Sequence, residues 1–216
     1  MVQKKWQILD YSVASGKVQM DLDSELLSKR ISSDIPNTLR FYSWKPTCIT
    51  YGFFQNLNEE VDDSLRKKYS FDVVKRITGG GCVLHDNELT YSVVISETDV
   101  PNDILDSYKL ICSILVKALR NLGIDAVHKP INDIVVGGKK ISGNAQTRRG
   151  GVMLMHGTLL LDIDSKKFKV LKKVKLDKLT SIKELNSLLD KNITKEDLIR
   201  EISLEFSNTF NFDLDN

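Results

Sequence analysis

The sequence is poor in the residues that build metal sites and disulfide frameworks. It has only three cysteines, at positions 48, 82 and 112, and three histidines, at positions 85, 128 and 156. An odd number of cysteines without CxxC spacing supports neither a disulfide framework nor a zinc ribbon, and the histidines lack HExxH spacing. A reducing compartment, the cytoplasm, is therefore expected.

Long hydrophobic runs are also missing. No segment approaches the roughly 20 apolar residues of a membrane span, and the opening segment MVQKKWQILDYS has no apolar stretch of signal-peptide length. The formal net charge of +2 is too small to indicate a nucleic-acid partner. The lysine-rich run 166–178 is interpreted as a solvated face, with docking of an acidic partner protein as the alternative. The sequence predicts a soluble protein that binds neither nucleic acid nor a membrane.

What the sequence contains is the composition of a globular domain. Hydrophobic residues make up 41% and charged residues 28% of its 216 residues, and we find no internal linker. Helices are predicted over 21–33 and 59–69, between Pro101 and Gly123, and from Ser181 and Thr194 onward. The predicted strands are 39–44, 47–52, 71–77, 89–95 and the hairpin 131–136 with 139–142. Residues 152–164 are predicted to form either one long strand or two strands broken at Gly157. Short hairpins favour one α+β domain over a doubly wound sheet.

A glycine triplet, Gly79-Gly80-Gly81, follows the predicted strand 71–77. Glycines let the backbone turn sharply or approach a ligand, and their N–H groups can face an anion, although a plain turn is the alternative. Arg76 can pair with a phosphate or carboxylate, or lie on the surface. Cys82 is the strongest candidate for a nucleophile because N–H groups around it can lower a thiol pKa, whereas Cys112 is expected in the core.

Two lysines, Lys139 and Lys140, follow the predicted hairpin turn, and strand alternation sends one to each face of the sheet. A lysine beside an apolar pocket can neutralise a carboxylate and the phosphate it attacks; two solvated lysines are the alternative. Asn132 and Asp133 offer oxygen ligands for magnesium, or are turn residues. His156 is expected to be buried with its hydrogen bonds satisfied.

Four segments resemble, in order and spacing, the motifs of the lipoate-protein ligase A family, within the biotin and lipoate protein ligase superfamily. They are YGFFQNLNEEV (51–61), KRITGGGCVLHD (75–86), NDIVVGGKKISGNAQ (132–146) and MHGTLLLDID (155–164). The resemblance implies a catalytic domain with a central mixed, largely antiparallel β-sheet flanked by helices. It implies AMP-forming ligation, in which lipoate or octanoate attacks ATP and the acyl-adenylate then acylates a lysine of a lipoyl domain.

The resemblance also implies cofactors, partners and site residues. ATP and Mg²⁺ are the implied co-substrates, and the implied partners are lipoyl domains of 2-oxoacid dehydrogenase complexes or the glycine cleavage H protein. Lys140 matches the lysine that contacts the acyl carboxylate and phosphate, and Asp133 matches the acidic residue near the phosphate and the metal. Gln146 is expected near a base or ribose. The other positions assigned to the substrate and ATP site are Arg76, Gly79, Gly80, Gly81, Cys82, His85, Asp86, Ala145 and His156.

The sequence departs from the family pattern at three places. Lys75 stands where an arginine is frequent, and Cys82 replaces a usual alanine. The chain ends at FNFDLDN (210–216), where many bacterial relatives continue into a small accessory domain. We therefore expect residues 1–216 to be a catalytic domain without that accessory domain, and a separate accessory protein is an expected partner.

Two rival hypotheses remain. One is a cysteine-dependent octanoyl or lipoyl transferase of the same superfamily, which takes its acyl group from acyl-carrier protein and uses no ATP. HDNELTYSVV (85–94) and AQTRRGGVMLMHG (145–157) resemble such enzymes, but HKPINDI (128–134) has no cysteine where they usually carry one, so the ligase is preferred. The other is a non-catalytic subunit that binds lipoyl domains.

Overall fold

The structure, a computed structural model, describes residues 5 to 214. In these residues two sheets are formed. The large sheet contains β1 (Trp6–Ala14), β2 (Asn37–Trp44), β6 (Glu88–Ser96), β7 (Ala126–Lys129), β8 (Asp133–Val136), β9 (Lys139–Arg149) and β10 (Val152–Leu160). The small sheet contains β3 (Cys48–Tyr51), β4 (Asp72–Lys75) and β5 (Val83–His85).

The large sheet has the order β1-β2-β6-β10-β9-β8-β7. Only β1 and β2 pair in parallel, and every other neighbouring pair is antiparallel. In the small sheet β3 lies between β4, which is parallel to it, and β5, which is antiparallel. The α+β class and the mixed, largely antiparallel central sheet are confirmed.

Helices cover both faces of the large sheet. The helices of the described residues are α1 (Gly16–Ile31), α2 (Leu57–Glu60), α3 (Asp63–Lys68), α4 (Ile104–Asn121), α5 (Ser165–Phe168), α6 (Ile182–Leu189) and α7 (Lys195–Phe210), with 3-10 turns at Glu97–Asp99 and Leu176–Lys178. The capping interactions at Ser181 and Thr194 are confirmed: Ser181 accepts from the backbone of Glu184, and Thr194 forms a capping box with Asp197. No helix in residues 5–214 has the length and hydrophobicity that crossing a membrane requires.

The main core lies between the large sheet and the helices α4 and α7. The apolar stripe of α4, which includes Ile111, Leu115 and Leu119, is fully buried there. The opposite face of the sheet is covered by α1, through Leu26 and Leu27. The sheet is therefore the middle layer of three, and its strands can carry residues to a site only at its uncovered part.

The structure corrects the predicted start of the first helix and decides between the two alternatives at Gly157. The first helix begins at Gly16 rather than Asp21, because Ser15 supplies the N-cap and Gly16 fits against Cys48, where a Cβ would lie 2.7 Å from the sulfur. The strand β10 continues through Gly157, which is a position of close packing and not a break. A side chain there would overlap Asn144 and Tyr91, so glycine keeps the sheet regular.

A lysine-rich segment, residues 171–179, connects α5 to α6, and we call it the basic strap. An antiparallel bridge between Leu171 and Val61 holds its first end. A parallel bridge between Leu179 and Lys140 holds its last end, where the Thr180 amide donates to the Lys140 carbonyl at 2.9 Å. The strap therefore has a fixed position beside β9.

Candidate active site

A cavity of about 520 Å³ is lined by residues of both sheets, a volume typical of sites for small molecules. One part of its wall comes from β9 and β10 and another from the basic strap. A third part comes from the glycine loop, which we define as residues 79–82, between β4 and β5. The two sheets and the strap thus meet at one concave surface.

The glycine loop and the chain that faces it require glycine for two different reasons. Gly80 has a φ of +89°, a conformation that side chains disfavour. Gly52, at the end of β3, lies so close to the Gly80 carbonyl that a Cβ would overlap it. In the described part of the chain we find no intramolecular acceptor for the N–H groups of Gly80 and Gly81. These N–H groups are available to an anionic ligand atom.

Arg76 holds the glycine loop in place from below. Its side chain is buried, and its NH2 group donates to the carbonyls of Gly79 at 3.0 Å and Gly81 at 2.7 Å. Its NH1 group donates to the Thr50 hydroxyl at 2.7 Å, and Nε donates to the Thr78 hydroxyl at 3.4 Å. Burial lowers the pKa of Arg76 to about 10, so the guanidinium remains charged at neutral pH.

Each threonine connects Arg76 to a buried histidine and a carboxylate. In the Thr50 relay, the hydroxyl lies 2.7 Å from His85 Nε2, and His85 Nδ1 lies 2.6 Å from Glu88 Oε1. In the Thr78 relay, the hydroxyl lies 2.8 Å from His156 Nε2, and His156 Nδ1 lies 2.9 Å from Asp23 Oδ2. The two relays have the same chemical order on either side of one guanidinium.

The hydrogen-bond pattern assigns the same tautomer to both rings. A carboxylate can only accept, so Nδ1 carries the proton in each histidine, and Nε2 accepts from a threonine hydroxyl that already accepts from Arg76. Burial lowers the pKa of His156, which favours the neutral ring. Burial alone would raise the pKa of Asp23, but the hydrogen bond and charge of His156 and the charge of Arg40 lower it.

The predicted division of the two hairpin lysines is confirmed. Lys139 pairs with Glu184 of α6 at 2.9 Å, whereas Lys140 lines the cavity and pairs with Asp133 at 2.6 Å. Lys140 lies over Gly143, where a Cβ would be 2.7 Å from its ammonium nitrogen. Lys140 and Asp133 therefore form one polar wall of the cavity.

Cys82 is the cysteine that lines the cavity. Cys48 and Cys112 are buried in the cores, as expected for Cys112, and burial raises the pKa of each thiol to about 12. The prediction that the glycine loop lowers the pKa of Cys82 was wrong. Burial raises it to about 11, although the charge of Arg76 opposes this shift. Cys82 is therefore protonated at neutral pH and must lose its proton as it reacts.

Most of the residues predicted for the site line the cavity, but Gly79, Asp86 and Gln146 are not among its lining residues. Asp86 instead accepts from Thr47 at 2.5 Å and pairs with Lys167 of α5 at 2.7 Å. Gln146 faces α4, where it bonds to Ser107 at 3.0 Å. The predicted residues along the cavity wall are Arg76, Gly80, Gly81, Cys82, His85, Asp133, Lys140, Ala145 and His156.

The relay residues Thr50, Thr78, Glu88 and Asp23 were not predicted. Thr50 and Glu88 lie in strands, Asp23 lies in α1 and Thr78 lies in the loop after β4. Asp23 is also far in sequence from the histidine it contacts. The expectation that His156 is buried with satisfied hydrogen bonds is confirmed. A weak signal for the Thr50 relay is the close spacing of His85, the last residue of β5, and Glu88, the first residue of β6.

Comparison with known proteins identifies the family of this chain. A family model described as the lipoyl protein ligase A/B catalytic domain matches residues 15–207. Octanoyltransferase LipM of Bacillus subtilis (strain 168) is 31% identical, over 100% of this chain and 90% of that protein. A crystal structure of lipoate-protein ligase A bound with ATP has a TM-score of 0.80 and 28% identity, over 98% of this chain and 87% of that chain.

A second similar structure comes from an archaeal lipoylation system. It is a bi-partite lipoate protein ligase, studied with its E2 lipoyl domain, from Thermoplasma acidophilum. Its TM-score is 0.79 at 26% identity, over 99% of this chain and 86% of that chain. The predicted superfamily and its fold are therefore confirmed.

The expectation of an AMP-forming lipoate-protein ligase, however, was wrong. Curated relatives at 31–35% identity are octanoyltransferases by name, which denotes transfer of an octanoyl group and not ligation. ATP and Mg²⁺ as co-substrates and an acyl-adenylate intermediate conflict with these relatives. Asp133 pairs with Lys140, and the described residues contain no group of three metal-ligating side chains. A shared fold and shared motifs do not determine which chemistry a site performs.

Proposed function

This chain belongs to the lipoyl protein ligase A/B catalytic-domain family, and we propose that it is an acyltransferase. It takes an octanoyl or lipoyl group from a carrier-protein thioester and transfers it to a lysine of a lipoyl domain. The octanoyltransferase relatives support the reaction, and the archaeal ligase studied with its lipoyl domain supports this kind of acceptor.

The observation that carries this proposal is the position of Cys82. It lines the cavity as the last residue of the glycine loop. It is close enough to Arg76 for the guanidinium charge to act on its thiol. Lys140 lines the same cavity from β9. A thiol, free backbone N–H groups and a cation beside apolar walls are the components of a thioester-forming site.

The reaction has two steps, and Cys82 carries the acyl group between them. In the first step the Cys82 sulfur attacks the thioester carbonyl, the carbon–sulfur bond to the carrier breaks, and the thiol proton passes to the leaving sulfur. In the second step the acceptor amine attacks the Cys82 thioester. An amide forms, and the proton released by the amine returns to the Cys82 sulfur. No oxidant, metal or nucleotide is needed.

The residues around Cys82 have separate roles in these steps. The N–H groups of Gly80 and Gly81 stabilise the oxyanion of each tetrahedral intermediate, because they have no competing acceptor in the described residues. Arg76 positions the loop and supplies positive charge. Lys140, held by Asp133, adds a second cation at the cavity wall. Since both sheets line the cavity, we propose that they act as one catalytic domain.

A transfer assay with cysteine variants tests the proposal. Wild-type protein is expected to move octanoate from an octanoyl-carrier thioester to a lipoyl domain without ATP. Cys82→Ser should lower the rate by at least about 100-fold, because an alkoxide is much harder to form than a thiolate. Cys112→Ala, which alters a core cysteine, is the matched control and should keep its activity.

Each other outcome has a definite meaning. Undiminished transfer by Cys82→Ser would remove the covalent intermediate and leave direct transfer between carrier and acceptor. Absence of transfer by the wild-type protein with any octanoyl thioester would overturn the proposed function. Binding of the lipoyl domain without any turnover would then support a non-catalytic subunit.

A further inference from the structure

The basic strap presents apolar and cationic side chains to the same cavity. Leu171, Val174 and Leu179 line the cavity from the strap, and so do three of its lysines. These lysines are Lys173, Lys175 and Lys178. The strap is held at both ends by β-bridges, so the lysines are supplied by a segment of fixed position.

The strap lysines differ in how well their charge is neutralised. Lys173 pairs with Glu60 at 2.5 Å, so its charge is already balanced by a carboxylate. Within the described residues, the one ion pair of Lys178 is with Asp177 at 3.9 Å, and it is weak because the two side chains are 70% and 74% exposed. Lys175 makes no ion pair or side-chain hydrogen bond with any residue from 5 to 214. Two cationic groups of the strap are thus available to an external anion.

A third available cation approaches the cavity from the large sheet. Lys129, at the end of β7, lines the cavity and is exposed, and we find no ion-pair partner for it in the described chain. The cavity that contains Cys82 is therefore bordered by Lys129, Lys175 and Lys178, without a matching number of carboxylates. Such a rim attracts an anion that enters the cavity with the substrate.

We propose that Lys129, Lys175 and Lys178 bind the phosphate of a phosphopantetheine arm that brings the acyl thioester to Cys82. This inference rests on the proposed acyltransferase function. Lysine binds phosphate as a point charge, and the apolar strap residues beside it suit the methylene groups of the arm. The same arm occurs on acyl-carrier proteins and in coenzyme A, so either can be the source.

The site is concave, which distinguishes a phosphate from the surface of an acidic protein. The three lysines line a cavity of about 520 Å³, whereas Lys166, Lys167, Lys169 and Lys172 of the run lie outside its lining. An acidic protein surface would contact the whole run. A phosphate on a flexible arm would contact only the lysines at the cavity.

The test compares charge reversal inside and outside the cavity. The double variant Lys175→Glu/Lys178→Glu is compared with Lys169→Glu, which changes an exposed lysine of the same run that does not line the cavity. Binding of unacylated phosphopantetheine and of pantetheine, which lacks the phosphate, is measured by titration calorimetry. We expect the wild-type protein and Lys169→Glu to bind phosphopantetheine alike, and the double variant to bind it at least about tenfold more weakly.

Kinetics with three donors identify what the lysines recognise. For each donor, the ratio of the KM of the double variant to that of the wild-type protein is determined. This ratio should be at least about tenfold larger for octanoyl-phosphopantetheine and octanoyl-carrier protein than for octanoyl-pantetheine. Equal effects on all three donors, or an effect confined to the carrier protein, would overturn phosphate recognition. A comparison of octanoyl-coenzyme A with the carrier thioester identifies the source of the arm.

Failure of this inference can be separated from failure of the proposed function. Phosphate-dependent binding by the wild-type protein that is lost in the double variant supports the inference even if no acyl transfer is detected. Conversely, normal transfer with equal affinity for phosphopantetheine and pantetheine leaves the transferase in place and overturns the phosphate site.

Discussion

At the scale of single residues, Arg76 is the most connected group of the site. It is a buried cation without a directly bonded carboxylate, and its donors go to two loop carbonyls and two threonine hydroxyls. An unpaired buried charge is costly, so the two Thr–His–carboxylate relays matter for its stability as well as for its orientation. The carboxylates of Glu88 and Asp23 compensate the guanidinium through polarised hydrogen bonds rather than by contact.

Breaking one relay should therefore destabilise the protein and misplace the glycine loop. Thr78→Val keeps the shape of the side chain and removes the hydroxyl, which leaves His156 Nε2 buried without a donor. We expect a loss of about 1–3 kcal/mol in the free energy of unfolding, measured by urea titration, with a slower transfer reaction.

Thr78→Ser is the matched control for this variant, because it keeps the hydroxyl and loses only a methyl group. It should retain most of the activity and lose less stability than Thr78→Val. If the valine and serine variants had the same stability and the same transfer rate, the relay would have no function of its own.

At the scale of elements, helices, hairpins and caps that depend on neighbouring residues were predicted correctly. Features that depend on contacts between distant elements were missed. The stripe of α4, the hairpin of β8 and β9 and the caps at Ser181 and Thr194 were predicted, because each depends on residues close in sequence. The edge strand β1 was not predicted, since its residues are mostly half-buried and do not alternate clearly. The first turn of α1 was missed because its start depends on a fit against Cys48.

At Gly157 the sequence pattern left one long strand or two strands as alternatives, and the structure has one strand. Because Gly157 has no side chain, it leaves room for Tyr91 of β6 and Asn144 of β9. The Tyr91 hydroxyl donates to the Asn144 side-chain oxygen at 2.8 Å. Gly157→Ala should lower the free energy of unfolding by about 1–3 kcal/mol through overpacking. Gly79→Ala, where an added Cβ meets nothing within 4 Å, is the stability control. Equal urea midpoints for the two variants would contradict this account of the β9–β10 contact.

At the scale of the whole molecule, the site exists because two sheets and the strap converge. The sequence motifs identified the glycine loop and the Lys140 hairpin, but not the junction that brings Asp23 of α1 to His156 of β10. The fold class and superfamily followed from the order of the motifs. The chemistry did not, because this chain is similar both to a lipoate-protein ligase and to octanoyltransferases, and a shared fold does not determine function.

The buried pair of Asp23 and His156 gives the folded state a predictable pH dependence. Burial holds the pKa of His156 below its usual 6.5, so below that pH the unfolded chain takes up a proton that the folded chain does not. The pKa of Asp23 is below its usual 3.8, so its contribution to stability is present above that pH and is lost as the pH falls through the lowered value. Both effects lower stability on acidification.

Urea unfolding between about pH 7.5 and pH 5 measures the histidine contribution. The free energy of unfolding of the wild-type protein should fall across this range. His156→Gln removes the titrating ring and keeps hydrogen-bonding capacity, so its stability should fall less steeply with decreasing pH. Parallel curves for the two proteins would show that His156 does not cause the dependence.

The central claim is that an acyl group passes through Cys82 without ATP, and intact-mass spectrometry of the wild-type protein tests it most directly. Incubation with an octanoyl-carrier thioester, without ATP and without acceptor, should add one octanoyl group to Cys82. That group should be released by neutral hydroxylamine and transferred to a lipoyl domain when the domain is added. An unmodified Cys82 together with acylation of the lipoyl domain only in the presence of ATP and free octanoate would contradict the account.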